Sequence, residues 1–285
     1  TSDTWAWDRF DEISTIDPLT DVFPSYLEIS FSNACNFACA YCSPEISSKW
    51  MEDIKLYGPY PTTHGAHHLS YLESEGKVPY KNSEENPYVE AFWKWFPDAL
   101  PSLKVLRITG GEPTMTKATW RLLDYLINNP KTDLTVAINT NACTEEKLID
   151  KLIDNINKLS EVGVKVELYT SLESVGDQAE YVRDGLCFNT WCDNVDKLLS
   201  QTHATVSIMT TVNILSLPTF SKFILLIMEF RKKYNHDFAY NRVPVSINYL
   251  RWPPHLQSIL LDKSDREKYA TEIEDISEQW LKYYS

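Results

Sequence analysis

Six apolar runs with strand-like alternation, separated by stretches of helical spacing, constrain this chain more than any other feature of its sequence. They occupy residues 26–32, 103–109, 134–140, 164–172, 205–214 and 243–250. A period of two marks a strand, and a period near 3.6 marks a helix. After the third run, Leu148, Ile149, Leu152, Ile153, Ile156 and Leu159 share one side behind the acidic start Thr144, Glu145, Glu146, which predicts a capped helix. From the second run onward the runs recur every 30 to 42 residues, a spacing that suits right-handed parallel crossovers of roughly 30 residues each. Six units are too few to close an eight-stranded barrel. The expected fold is therefore α/β, an open, partial (β/α)6 TIM-like barrel.

The first interval breaks the rhythm. About 70 residues separate the first two runs, so residues 43–102 form an insert between strands 1 and 2. Its middle, 57–88, is dense in Gly, Pro, Tyr and His and predicts irregular chain, followed by a short aromatic helix over 89–96. Unstructured loops longer than ~12 to 15 residues are usually functional or disordered. The insert is expected to cover the barrel mouth; the rival reading is an embellishment packed through Phe92, Trp93 and Trp95. The division is then an N-terminal extension over 1–25, a core over 26–262 and a C-terminal helix over 263–285, the last with Tyr269, Ile273, Ile276, Trp280 and Leu281 on one side.

Composition narrows the function classes. Apolar residues at 43% and charged residues at 24% of 285 fit a soluble globular enzyme. Lys plus Arg at 27 against Asp plus Glu at 40 gives a net charge of −13, which argues against a nucleic-acid surface, because phosphate neutralisation needs clustered cations. The most apolar run, Phe223 to Met228, is six residues long, whereas a bilayer span needs about 20, so no membrane segment is expected. No secretion signal opens the chain, and Thr1 in place of Met points to a processed or trimmed start. Six cysteines without such a signal favour a reducing, cytoplasmic setting where clustered thiols bind metal or do redox chemistry.

Cys35, Cys39 and Cys42 follow the first strand directly, at the carboxyl end of the sheet where barrel active sites sit. Three thiolates on a short loop can share a polynuclear cluster, and a three-cysteine cubane leaves one iron open to an outside ligand. A zinc site is the rival, but zinc favours four closed ligands, and no second pair lies at ribbon spacing. TGGEP, Thr109 to Pro113, follows the second strand. Alone it is only a turn, with glycines that allow close backbone approach and a proline at a helix start. Beside the cysteine loop, its carboxylate could hold an ammonium group of a ligand on the open iron.

With these two motifs the sequence resembles the radical S-adenosylmethionine (SAM) superfamily over most of residues 26–252. The cysteine triplet with Tyr41 before its last member resembles the family's cluster loop, and Gly110, Gly111, Glu112 and Pro113 resemble its SAM amino-group motif. Weaker likenesses place Asn141 at the polar end of the third strand, Ser171 and Glu173 at the fourth, Arg183 just after it, Asn213 at the fifth, and Leu250 in the sixth strand's exit along the adenine. The resemblance implies a [4Fe-4S] cluster on Cys35, Cys39 and Cys42, and SAM cleaved to a 5′-deoxyadenosyl radical that abstracts hydrogen. It also implies that Glu112 pairs with the SAM ammonium, that Ser171 and Asn213 bond ribose or carboxylate, and that Arg183 neutralises the carboxylate or fixes the cap. A reductant protein, flavodoxin or ferredoxin, is implied as partner.

The pattern is nearest the molybdenum-cofactor synthase-like, twitch- and SPASM-related subgroup. That subgroup points to a peptide or protein side chain as substrate, with a small metabolite next and a glycyl-radical activase third. Its auxiliary-cluster cysteines are absent after Cys192, so such an extension is missing or lies outside the chain. Cys143, Cys187 and Cys192 are expected to be ordinary packing, and His64, His67 and His68 to be solvated loop residues. An iron–sulfur electron carrier or a silent SAM-binding module is the alternative class, and neither carrier chemistry nor a bare cluster has use for TGGEP.

Overall fold

The computed structural model describes residues 10–59, 61, 68–81, 83–235 and 241–284. Each of the six apolar runs contains a strand, and the six form one parallel sheet. These are β1 (Tyr26–Ser30), β3 (Val105–Thr109), β4 (Thr135–Thr140), β5 (Lys165–Ser171), β7 (Thr205–Val212) and β8 (Val245–Tyr249), in the order β1-β3-β4-β5-β7-β8. Two short strands, β2 (Ala38–Cys39) and β6 (Arg183–Asp184), pair antiparallel, Cys39 opposite Arg183. Among the described residues β1 and β8 are the two free edges of the six-stranded sheet, which is the open partial barrel that the strand count implies.

Alternation along each strand sorts its side chains by face. Leu106, Ile108, Val136, Ile138, Leu168, Val206 and Ile208 are almost wholly buried and join the main core. They meet helices that return the chain between parallel strands, among them α5 (Lys117–Asn128), α6 (Glu146–Glu161), α8 (Phe188–Gln201) and α9 (Phe220–Tyr234). Ile149, Leu152, Ile153, Ile156 and Leu159 bury the inner stripe of α6 as their spacing requires. The expected cap differs in detail. Glu145 is the N-cap and makes no side-chain cap bond; acidic Glu146 in the first turn meets the positive end of the helix dipole instead.

The insert is more ordered than its composition suggests. It carries α2 (Ser48–Tyr57), α3 (Leu69–Ser74) and α4 (Pro87–Ala99), the second within the stretch expected to be irregular. Six residues are too few for a helical period to stand out from sequence. Asn86 caps α4 by accepting from Tyr88 N–H, and Pro87 takes the first turn, where a missing N–H costs nothing. Its aromatic face packs Phe92 edge-on to Phe31 and Trp93 edge-on to Tyr125 of α5. Before the sheet lies α1 (Phe10–Thr15), and α7 (Asp177–Val182) precedes β6. After the sheet, α10 (Lys263–Tyr284) packs Tyr269 and Ile273 against the core; the side chains of Trp280 and Leu281 lie outside the described residues, as do His64 and His67.

Candidate active site

Two loops leave neighbouring strands at the carboxyl end of the sheet and are bonded to each other. β1 runs into the cysteine loop and β3 into Gly110–Pro113. Gly111 N–H donates to Ser32 O (3.2 Å) and Glu112 N–H to Ala34 O (2.6 Å). Both glycines are needed for this approach. A Cβ on Gly111 would lie 2.4 Å from Ala34 O, one on Gly110 2.7 Å from Ser32 O, and Gly110 has φ +125°, a region that favours glycine. The bare backbone of the motif thus faces the cysteine loop itself.

The cysteine loop is fixed by residues of the insert and of the distant β6 segment. Trp50 Nε1 donates to Cys39 O (2.8 Å), Ser47 Oγ to Phe37 O (2.6 Å), and Cys35 N–H to Ser48 Oγ (3.1 Å). Ala40 N–H donates to Val182 O (2.8 Å). Cys39 is buried, and Cys35 and Cys42 are half-buried. Burial pushes the Cys35 thiol up to about 11. It pushes Cys42 up to about 12, reinforced by the neighbouring Cys39, and it raises Cys39 against the pull of Arg183. Three soft donors largely held out of water suit a metal cluster, whose charge stabilises the thiolates. N–H donors already face the sulfurs, Phe37 N at 3.4 Å from Cys35 Sγ and Arg183 Nη1 at 3.6 Å from Cys39 Sγ. Among the described residues no three His, Cys, Asp or Glu converge on one ion position.

Behind the loop lies a buried charge network. Arg183 Nη2 and Nε donate to Glu173 at 2.7 and 3.1 Å, with the pair 8% and 0% exposed. Tyr41 O–H donates to the same carboxylate at 3.1 Å and accepts from Arg183 Nη2. Burial opposes the guanidinium's charge, and Glu173 and Tyr41 override it, so the Arg183 pKa is raised well above its usual value. Tyr41, Glu173 and Arg183 therefore clamp the loop.

Glu112 is buried too, at 1% exposure. Its carboxylate accepts from Thr114 Oγ1 (2.7 Å), Thr114 N–H (3.1 Å), Thr140 Oγ1 (3.0 Å) and Asn141 N–H (2.5 Å). Burial pushes its carboxyl up, and these bonds only partly oppose the rise. Pro113 opens a short 3-10 turn over Pro113–Met115. Asn141 Nδ2 donates to Asn36 Oδ1 (2.7 Å), and Asn36 Nδ2 donates to Cys143 O (2.9 Å), tying β4's exit to the cysteine loop. Neither Asn36 nor the Thr114–Thr140 pair was singled out from sequence; Asn36, inside the triplet, was the one with a positional signal.

Ser171 ends β5 half-exposed, and Ser174 Oγ nearby is buried with no hydrogen-bond partner among the described residues, an orphan that suits a polar ligand group. Asn213 lies in the separate corner where β7 and β8 end, and its amide serves a turn: Oδ1 accepts from Leu215 and Ser216 N–H, and Nδ2 donates to Thr211 O. Leu250 N–H donates to Val212 O (3.0 Å). A cavity of about 480 Å³ lies between the two corners, lined by Ala38, Ala40 and Cys42 on one side and Leu215, Pro253 and Leu256 on the other. That volume lies within the range of small-molecule pockets. The remaining cysteines are elsewhere. Cys143 Sγ accepts from Cys187 N–H (3.4 Å); Cys187, expected to pack, is instead exposed at the N-cap of α8, where the helix needs no apolar side chain.

Residues 29–227 match the family described as the radical SAM superfamily. The chain belongs to that superfamily. Its curated relatives include the GTP 3′,8-cyclase of Aliarcobacter butzleri, 29% identical over 133 residues, 45% of this chain and 31% of the cyclase. The GTP 3′,8-cyclase of Campylobacter lari is 30% identical over 117 residues, 41% of this radical SAM chain and 27% of the cyclase. The match thus spans under a third of either cyclase. Among solved structures, Streptococcus suis SuiB superposes over 98% of this chain and 57% of its own, at TM-score 0.54 and 13% identity. SuiB bound to its precursor peptide SuiA superposes over 98% and 60%, at TM-score 0.50 and 12% identity. At these identities the likeness concerns the fold. Superfamily membership implies a [4Fe-4S] cluster and SAM, and the donor set described above fits both. Among the described residues no helix is long and apolar enough to cross a membrane.

Proposed function

We propose that this chain is a radical SAM enzyme that directs a 5′-deoxyadenosyl radical at a peptide or protein side chain. The observation that carries the reading is the bonding of the three-cysteine loop to the Gly110–Pro113 loop at one end of a parallel sheet. An electron carrier needs the first loop but not the second. The cluster, when bound, supplies the electron that cleaves SAM reductively, delivered to it by a flavodoxin or ferredoxin.

The chain's own residues hold and orient. Cys35, Cys39 and Cys42 are the cluster ligands, and the Tyr41–Glu173–Arg183 clamp keeps their loop in place. Glu112 accepts from the SAM ammonium through Oε2, which carries one of its four donors while Oε1 carries three. Ser171 and Ser174 offer hydroxyls to the carboxylate or ribose, while Asn213 and Leu250 flank the adenosyl half across the cavity beside Cys42. The insert, through α2, shields the loop from solvent, which protects a radical from stray donors. A peptide substrate draws support from the fold shared with SuiB, which is solved with its precursor peptide. The GTP 3′,8-cyclases among the relatives favour a small-molecule substrate as the second reading.

Anaerobic reconstitution, then incubation with SAM and dithionite, tests the reaction. 5′-Deoxyadenosine should form with the intact chain and be lost in Cys39→Ala together with cluster iron. An iron-loaded chain that forms none overturns the reading.

A further inference from the structure

The face of the sheet turned away from the helices carries a second constellation that the site above leaves unused. On β3, Leu106 and Ile108 enter the core, so Arg107 points to the other face. On β5, burial of Val166, Leu168 and Thr170 turns Glu167, Tyr169 and Ser171 the same way. Strand register sets Glu28 beside Arg107, then Ala137, then Glu167.

Arg107 does not lie flat in that row. Its Nε donates to Asn139 Oδ1 on β4 (3.1 Å), its guanidinium sits 4.6 Å from the ring centre of Tyr169 on β5, and its Nη2 reaches Met209 Sδ on β7 (3.4 Å). Asn139 is the penultimate residue of β4, and Met209 pairs with Ser171, the last residue of β5. The side chain therefore runs diagonally across three strands toward the carboxyl end, bringing its charge to the level of Ser171.

Its surroundings do not match its charge. Among the described residues Arg107 forms no ion pair; its side chain also bonds the Tyr26 hydroxyl, and the two carboxylates of its row are bonded by other donors. Glu28 accepts from Tyr26 O–H (2.9 Å), and Glu167 from Tyr169 O–H (2.9 Å) and Lys165 Nζ (2.6 Å). A thioether is a weak acceptor, whereas a guanidinium offers five donors in a rigid fork shaped for a two-oxygen anion. Asn139 and the Tyr169 ring hold that fork from below and from the side, which pre-orients it for one partner.

We infer that Arg107 anchors an oxyanion of the substrate, a carboxylate or a phosphate, on the inner face of the sheet. The inference rests on the proposed reaction for placing the reacting centre at this end. It narrows the substrate to a molecule with an anionic group close to the hydrogen to be removed, such as an acidic peptide side chain or a nucleotide phosphate.

Anaerobic calorimetry on the reconstituted, SAM-saturated chain tests it with two probes, glutarate for the carboxylate and pyrophosphate for the phosphate. One of them should bind saturably, and roughly tenfold or more weakly to Arg107→Gln. Arg107→Lys, which keeps the charge but loses the fork, should fall between. Phenylglyoxal modification of Arg107 in the unaltered chain, read by mass spectrometry, should be slowed by the same probe, an arm that needs no variant to fold. The inference is overturned if neither anion discriminates the intact chain from Arg107→Gln nor protects Arg107. It is equally overturned if Arg107→Gln loses affinity for SAM itself, since Arg107 would then serve the cofactor. Failure of the intact chain to form 5′-deoxyadenosine counts against the reaction and leaves the anion result to be read separately.

Discussion

Glu112 and Glu173 are both buried carboxylates at the carboxyl end of one sheet, at 1% and 0% exposure, yet their charges are met in opposite ways. Glu173 is neutralised within the chain by a two-point bond from Arg183 and finished by Tyr41. Among the described residues Glu112 has only neutral donors, two hydroxyls and two backbone N–H groups. A buried ion pair with its hydrogen bonds complete has no use for a further cation. A buried carboxylate lacking one carries a desolvation penalty that an arriving ammonium relieves. On this difference we propose that Glu112 meets the ligand's ammonium while Glu173 and Arg183 hold the cysteine loop, whichever of the three residues that the superfamily likeness sets beside SAM also touches it.

The largest effect should come from breaking the first of these. Glu173→Gln leaves Arg183 buried and uncompensated, a loss of about 3 to 5 kcal/mol, measured as a fall in unfolding free energy by anaerobic urea denaturation. Replacing both partners, Glu173→Gln with Arg183→Met, should recover most of it, because removing a buried pair entirely is often near neutral. A Glu173→Gln loss under about 1 kcal/mol, the range of an exposed pair, would mean that the clamp is not closed in solution.

This contrast also marks where sequence reading stops. The strands were legible because alternation is a local signal, and the inner stripe of α6 because its apolar residues recur at helical spacing. The cysteine triplet and Gly110–Pro113 were legible as short motifs. Which donors meet Glu112 was not, since Thr114 comes from its own turn and Thr140 from the next strand. Asn213 carries a strand-end likeness to a ligand contact, and the turn after β7 that its amide also orders was not legible, because its partners Leu215 and Ser216 form no motif. Arg107 had a signal that went unused: a charge at an inward position of a parallel strand, where runs are normally apolar on both faces.

Separating the two loops should have the next largest effect. In Gly111→Ala the new Cβ falls 2.4 Å from Ala34 O and 2.6 Å from Asn33 O, both backbone atoms that cannot swing aside. The Gly110–Pro113 loop must move away from the cysteine loop, at a cost of about 1 to 3 kcal/mol typical of overpacking. Iron retained per chain after anaerobic desalting should fall with it. Full iron content and an unaltered melting curve would show that the two loops are not held together as described, and the contrast between Glu112 and Glu173 would lose its common frame.

The smallest effect is the most specific. Glu112→Gln keeps the size and one of the two acceptor oxygens, which can serve the three donors now on Oε1, but removes the charge and turns its amide toward Asn141 N–H. If the carboxylate awaits an ammonium, SAM should bind roughly tenfold more weakly, which is about 1.4 kcal/mol, while the SAM-free chain should lose about 1 kcal/mol, the low end of the cost of one buried donor left unpaired. The pH dependence carries the sign. Burial raises the folded carboxyl above its ordinary value, so in the window between the unfolded and folded pKa the native state holds a proton that the unfolded chain has released. Stability from this group is present below the ordinary carboxylate range and declines as pH rises through the raised folded value. Subtracting the Glu112→Gln profile from that of the intact chain isolates the contribution, since the other carboxylates titrate in both. The difference should slope downward with rising pH without SAM and flatten when SAM saturates the site, because the ammonium favours the charged carboxylate. A difference that slopes upward, or one that SAM leaves unchanged, would place Glu112 with Glu173 as a purely internal group.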